Sequence, residues 1–148
     1  MMQETQPVAA VVLLRSDDGA ALLQHRDDRP GLTHAGLWTP PGGHCDPGEP
    51  TEACASREFL EETGYRCRQL RPLESVDRDL DGFDTACLAV FWDVYDGEQA
   101  LTCYEGQALA FVKRDQADAH RVPGYLIEMW DRAVEAWRLE KRMKRGQE

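Results

Sequence analysis

The chain is expected to fold as a single α/β domain. Three features carry this: short apolar runs separated by turn residues, one central helical segment between Gly48 and Gly64, and a long amphipathic stretch from about Pro123 to the end. With 148 residues and 42% hydrophobic content, the chain is long enough to bury a sizeable core but short for a second domain, so residues 1–148 are read as one unit.

Residues 7–15 (PVAAVVLLR) form a valine-rich apolar run, followed by the turn sequence Ser16-Asp17-Asp18-Gly19 and a second run over residues 20–25. Together they predict a hairpin. Residues 26–37 contain Asp27, Asp28, Pro30, Gly31 and Gly36, a composition that breaks both helix and strand and predicts a surface loop of the kind that shapes a substrate mouth. In Pro40-Pro41-Gly42-Gly43 the prolines stiffen the backbone and the glycines permit close approach. The central helix is expected to run for about thirteen residues, with Thr51 as a possible cap, Glu52 in its first turn and Gly64 ending it. Strands are predicted over residues 74–79, 85–95 and 108–113, with turns at Asp81-Gly82 and Asp96-Gly97. In the terminal stretch, Tyr125, Met129, Trp130, Ala133, Val134 and Trp137 recur at helical spacing, which makes the two tryptophans core anchors.

A formal charge of −10 disfavours non-specific binding to nucleic-acid polymers, which depends on cations meeting backbone phosphates, and leaves a small phosphate ligand open. The segment RLEKRMKR near the end is locally basic and reads as a solvated helix end that suits the helix dipole. No apolar run approaches the roughly eighteen residues of a membrane span, and no basic-then-apolar leader is present, so cytoplasmic residence is the expectation. Cysteines at 45, 54, 67, 87 and 103 are odd in number and include no CxxC pair, which predicts reduced thiols rather than a disulfide or zinc framework.

The chemistry concentrates in residues 43–65, GHCDPGEPTEACASREFLEETGY. At about 100° per residue, Glu58, Glu61 and Glu62 fall within an arc of roughly 100°, with Leu60 pointing nearly the opposite way toward a face that can be buried. Three carboxylates this close repel one another unless a cation sits among them. Hard divalent ions such as Mg2+ prefer oxygen ligands and keep positions open for substrate phosphates, so the residues alone point to a metal-dependent phosphate site.

This stretch resembles the Nudix box of the Nudix hydrolase family: a Gly, five residues, a Glu, seven residues, then Arg-Glu-apolar-x-Glu-Glu-x-Gly-apolar. Gly43, Glu49, Arg57, Glu58, Phe59, Glu61, Glu62, Gly64 and Tyr65 fill every fixed place, with aromatic Phe59 and Tyr65 where aliphatic residues are commoner. The resemblance implies the Nudix fold, an α/β/α sandwich with a mixed β-sheet between helices, and a pyrophosphohydrolase using Mg2+ or Mn2+. It implies Glu58, Glu62 and the Gly43 carbonyl as metal ligands, and Glu61 as a further ligand or the base that takes the water's proton. Arg57 and Glu49 would pair to hold the loop against the helix. Outside the box, the Glu-Gly-Gln turn at Glu105 is similar to one that brings a further carboxylate to the site in some Nudix nucleotide hydrolases. Arg26 occupies a place where related enzymes carry an arginine toward the phosphates. Cys54 is read as packing and His44 as a solvated loop residue.

The implied substrate is a small nucleotide, a nucleoside diphosphate linked to another group. Nucleoside or deoxynucleoside triphosphates are preferred, with nucleotide sugars or other diphosphate conjugates as the alternative. A non-catalytic nucleotide-binding regulator is the reading from another class, and an enzyme acting on capped RNA ends is a further one. No membrane partner is expected, and homodimers, common among Nudix relatives, remain possible.

Overall fold

A computed structural model describes residues 7–32, 34–73 and 88–146. The elements are β1 (Val8–Leu14), β2 (Ala21–His25), β3 (Trp38–Thr39), β4 (Gly42–His44), α1 (Thr51–Thr63), β5 (Arg71–Pro72), β6 (Leu88–Val94), β7 (Ala108–Val112), a short 3-10 turn at Arg114–Gln116, and α2 (Gly124–Gly146). The strand expected over residues 74–79, the Asp81-Gly82 turn, and residues 85–87 of the following strand lie outside the described residues.

The seven strands form one mixed sheet with β1 near its middle. β1 runs parallel to β6 in unbroken register from Val8↔Leu88 to Leu14↔Val94. Its other edge is divided: Val8 to Ala10 pair antiparallel with β4, and Leu14 pairs with Ala21 at the base of the β2 hairpin. β2 then pairs antiparallel with both β7 and β3. A strand enclosed in this way should read as a continuous apolar run rather than an alternating one, which is what the sequence VAAVVLL is.

Because successive side chains of a strand point to opposite faces, β1 feeds two cores. Ala9, Val11 and Leu13 join Leu22, Ala89, Phe91 and the Cys54, Ala55 and Phe59 face of α1. Ala10, Val12 and Leu14 join Leu23, Val90, Trp92 and the Leu126, Met129, Trp130 and Ala133 face of α2. The sheet is therefore sandwiched between the two helices, as expected. Trp130 is an anchor of the second core, and its indole N–H donates to the Gly19 carbonyl at 3.0 Å. Trp137 packs against the same cluster from its edge.

Two local expectations need correction. Thr51 is the first helical residue and not the cap: Pro50 holds the cap position at φ −60° and ψ 143°, with no side-chain cap bond, and its carbonyl accepts the Cys54 N–H at 2.9 Å. Proline suits a helix start because its missing N–H would find no intrahelical partner there. Leu60 is only half-buried, whereas Glu62 lies on the face that meets the sheet, along with Cys54, Ala55, Phe59 and Thr63. The buried face centres on Phe59, so one of the three acids is carried inward instead of lying opposite the core.

Candidate active site

The site begins with the turn between β4 and α1. Arg57 holds this turn with a two-bond fork, Nε to Glu49 Oε2 and Nη2 to Glu49 Oε1, each at 2.9 Å. The backbone N–H of Asp46 adds a bond to Glu49 Oε1 at 3.0 Å, and Arg57 Nη2 reaches the His44 carbonyl at 3.4 Å. The guanidinium holds the Glu49 carboxyl down at about 2. The remaining nitrogen, Nη1, meets Glu58 Oε1 at 3.0 Å and Glu61 Oε1 at 3.3 Å. One arginine thus ties the turn to the acids of the helix.

Glu58 and Glu62 line the inner side. Gly43 passes so close that a Cβ on it would lie 2.5 Å from Glu58 Oε2, so any side chain there would push the Glu58 carboxylate out of its present place. Burial pushes the Glu58 carboxyl up, with Arg57 opposing the shift. Glu62 is 5% exposed, and its Oε2 is a buried side-chain oxygen that meets no N–H or O–H donor among the described residues. Its carboxyl is pushed up to about 9, first by burial, then by the Glu105 carboxylate and by Glu58, while the Gly42 N–H partly offsets this. Carboxylates facing each other out of water repel as anions, so the Glu62 side chain keeps its proton or meets a cation. Glu61 is different. Its side chain is 57% exposed, and Arg57 is the partner it meets.

Glu105 reaches Glu62 because its segment is pinned at both sides. Tyr104 N–H donates to the Glu62 carbonyl at 3.0 Å and Thr102 N–H to the Thr63 carbonyl at 2.9 Å, fixing the segment to the end of α1. On the other side the buried Gln24 side chain donates to the Glu105 carbonyl at 2.9 Å, and Gln107 N–H to the His25 carbonyl at 2.7 Å. Gly106 takes φ +85°, where a Cβ would strike the His25 carbonyl at 2.6 Å.

Arg26 follows β2 directly and shares an open pocket with Gln24, Asp27, Arg29, Leu32, Glu105 and Gly106. Arg26 and Glu105 are thereby brought to one mouth, beside the acids of α1. The loop over residues 26–37, read from its composition as a substrate mouth, supplies Arg29 and Asp27 to this pocket. His44 is exposed and contributes its carbonyl rather than its ring. Three histidines without a sequence signal meet aromatic partners on β3 and α2. His25 stacks on Trp38 with centroids 4.8 Å apart, His120 meets the Trp38 edge at 5.1 Å, and His34 Nε2 lies 2.9 Å from the Tyr125 hydroxyl.

The inner group therefore offers carboxylate oxygens from Glu58, Glu62 and Glu105 and a backbone carbonyl at Gly43, one of these oxygens being buried without a donor. Carboxylates together with a backbone carbonyl are the donor set of a hard divalent cation.

A mixed sheet between two helices, with a glycine turn feeding an acidic helix, defines an α/β/α sandwich with a site at the first helix. The chain belongs to the NUDIX domain family, whose model matches residues 5–130. Among curated proteins it is 48% identical over 60 residues to the asymmetrical bis(5'-nucleosyl)-tetraphosphatase of Rattus norvegicus, covering 40% of this chain and 37% of that protein. It is 46% identical over 56 residues to a putative 8-oxo-dGTP diphosphatase of Bacillus subtilis, covering 38% and 34% respectively. These matches span only about a third of each relative's length. Among solved structures, the NUDIX domain of Shewanella oneidensis NrtR, complexed with ADP ribose, superposes with a TM-score of 0.76 at 18% identity, covering 92% of this chain and 90% of that one.

Proposed function

We propose that this chain is a Mg2+- or Mn2+-dependent pyrophosphohydrolase that splits a nucleoside diphosphate linked to another group. The observation that carries this reading is the buried Glu62 oxygen that meets no donor among the described residues, facing Glu105 and Glu58 where the Gly43 backbone closely approaches Glu58. Glu58, Glu62 and the Gly43 carbonyl would hold the ion, with Glu105 closing the far side. When bound, the cation would neutralise non-bridging phosphate oxygens and favour ionisation of the attacking water.

The chain's own groups do the rest. Arg26 and Arg29, at the mouth, neutralise the outer phosphates and hold them in place. Arg57 and Glu49 position the turn that carries Gly43 against the acidic helix. Glu61, at the solvent edge, takes the proton of the water as oxygen attacks phosphorus and the bridging P–O bond breaks, with the electron pair leaving on the departing phosphate.

Within this class the reading favours nucleoside or deoxynucleoside triphosphates. The Glu105 turn supports it, as does the name of the Bacillus subtilis relative, an 8-oxo-dGTP diphosphatase. The alternative, a diphosphate conjugate, is favoured by the Rattus norvegicus relative, whose name describes cleavage of two nucleosides joined through four phosphates. A panel of triphosphates and diphosphate conjugates, assayed with and without Mg2+ for released phosphate and pyrophosphate, separates them. Nucleotide binding with no hydrolysis of any panel member would overturn the reading in favour of a regulator.

A further inference from the structure

Behind the acidic face, the same turn brings together a second set of ligand atoms with different chemistry. Cys45 follows β4, Cys54 lies in α1, and Glu49 stands between them; both sulfurs and a Glu49 carboxylate oxygen lie within 4.8 Å of one another. Cys45 is 3% exposed and Cys54 is fully buried, and both belong to the core shared by β1 and α1, so the scaffold around them is rigid. Cys45 is further tied by its N–H to the Pro7 carbonyl at 2.8 Å. The Cys54 sulfur lies 3.7 Å from the Gly43 carbonyl.

We infer that Cys45, Cys54 and Glu49 form a binding site for a thiophilic divalent ion, Zn2+ or Cd2+, distinct from the oxygen site of Glu58 and Glu62. Zinc bonds of about 2.0–2.3 Å in a tetrahedron set ligand atoms roughly 3.5–4 Å apart, so the three side chains need to close in by about 1 Å at most. The fourth position is left to water or to the Gly43 carbonyl, which lies 3.7 Å from the Cys54 sulfur. On binding, two S–H bonds break, two metal–sulfur bonds form, and two protons leave to solvent. The charges then balance: a divalent ion, two thiolates, the Glu49 carboxylate and the Arg57 guanidinium sum to zero, which a buried site requires.

Occupancy has a consequence for the acidic face. The ion takes one Glu49 oxygen from Arg57 and so loosens the fork that holds the turn; where the Gly43 carbonyl fills the fourth position, it also draws on an oxygen assigned to the other cation. It therefore inhibits. Binding stands whether or not the hydrolase reading holds; the inhibition rests on that reading.

Titration of the purified, reduced, metal-free chain with Cd2+, followed by the cadmium–thiolate absorption in the ultraviolet, tests the site. The expected result is a one-to-one band that survives excess Mg2+, is competed away by Zn2+, and is lost in Cys45→Ser and in Cys54→Ala but kept in Cys103→Ser. If either core variant fails to fold by circular dichroism, cadmium NMR of the unmodified chain replaces it, and the bound ion should show the downfield shift of cadmium held by two thiolates. Absence of the band, its removal by Mg2+, its survival in both core variants, or its loss with Cys103→Ser would each overturn the inference, as would a cadmium signal at the shift of all-oxygen ligation.

Discussion

At the scale of single residues, burial and neighbouring charge decide what each carboxylate does. Glu62, raised to about 9 from an ordinary value of 4.5, keeps its proton in the metal-free fold, while an unfolded chain releases it. The folded state binds more protons through that interval. Its contribution to stability is complete below about 4.5 and disappears as pH climbs through 9. Thermal melts of metal-free protein should thus show Tm falling with pH across this window, and Glu62→Gln should remove that dependence. The same variant should lower Mg2+-supported kcat/KM by roughly 100-fold or more, about 3 kcal/mol of lost charge stabilisation, measured on the best substrate of the panel. Glu49 behaves in the opposite sense. Held at about 2, it contributes above 4.5 and ceases to do so as pH falls through 2. Glu49→Gln should flatten acid unfolding in that range and cost roughly 10–100-fold in turnover, since it releases Arg57 without removing an assigned ligand.

At the scale of elements, α1 was legible because Gly64 ends it visibly, taking φ +75° with its N–H on the Leu60 carbonyl. β1, β2, β7 and α2 were legible from length and periodicity. β3, β4 and β5 were not, because two or three residues are too short to show a period of two; they are strands only by pairing with β1, β2 and β6. The junction of β5, β6 and α2 was equally hidden. Arg71 on β5 bonds the nearly buried Asp93 of β6 at 3.0 Å, forks onto Glu140 of α2 at 2.9 and 2.6 Å, and lies over the Trp92 ring at 4.4 Å. Replacing it leaves the Asp93 carboxylate without its cation, its partners among the described residues then being the N–H groups of Arg68, Gln69 and Val94. Arg71→Ala should therefore cost about 2–3 kcal/mol in denaturant unfolding while leaving the KM for nucleotide unchanged.

For the whole molecule, the sandwich sets the site's electrostatics. The sheet covers one side of α1, and the segment carrying Glu105 closes its end, so the acids are partly removed from water before any ion arrives. A cation that binds only the folded state adds stability by mass action, about 2.7 kcal/mol at a hundred times its Kd. Mg2+ should raise Tm accordingly, and Glu58→Gln should abolish the rise; a full rise in that variant would remove Glu58 from the ligand set. Among the described residues no helix is long and apolar enough to cross a membrane.

The spacing of Gly43, Glu49, Arg57, Glu58, Glu61 and Glu62 determined the box, because charged residue types at helical intervals declare their own geometry. Tertiary structure alone decided that Glu62 turns inward while Glu61 stays in water, that Glu105, expected at the site by resemblance, faces Glu62 in particular, and that Cys45 lies beside Cys54. The physical reason is common to all three. Burial and long-range proximity arise when α1 docks on β1 and the 101–107 segment docks on β2, and no local pattern records which face of a helix another part of the chain will cover.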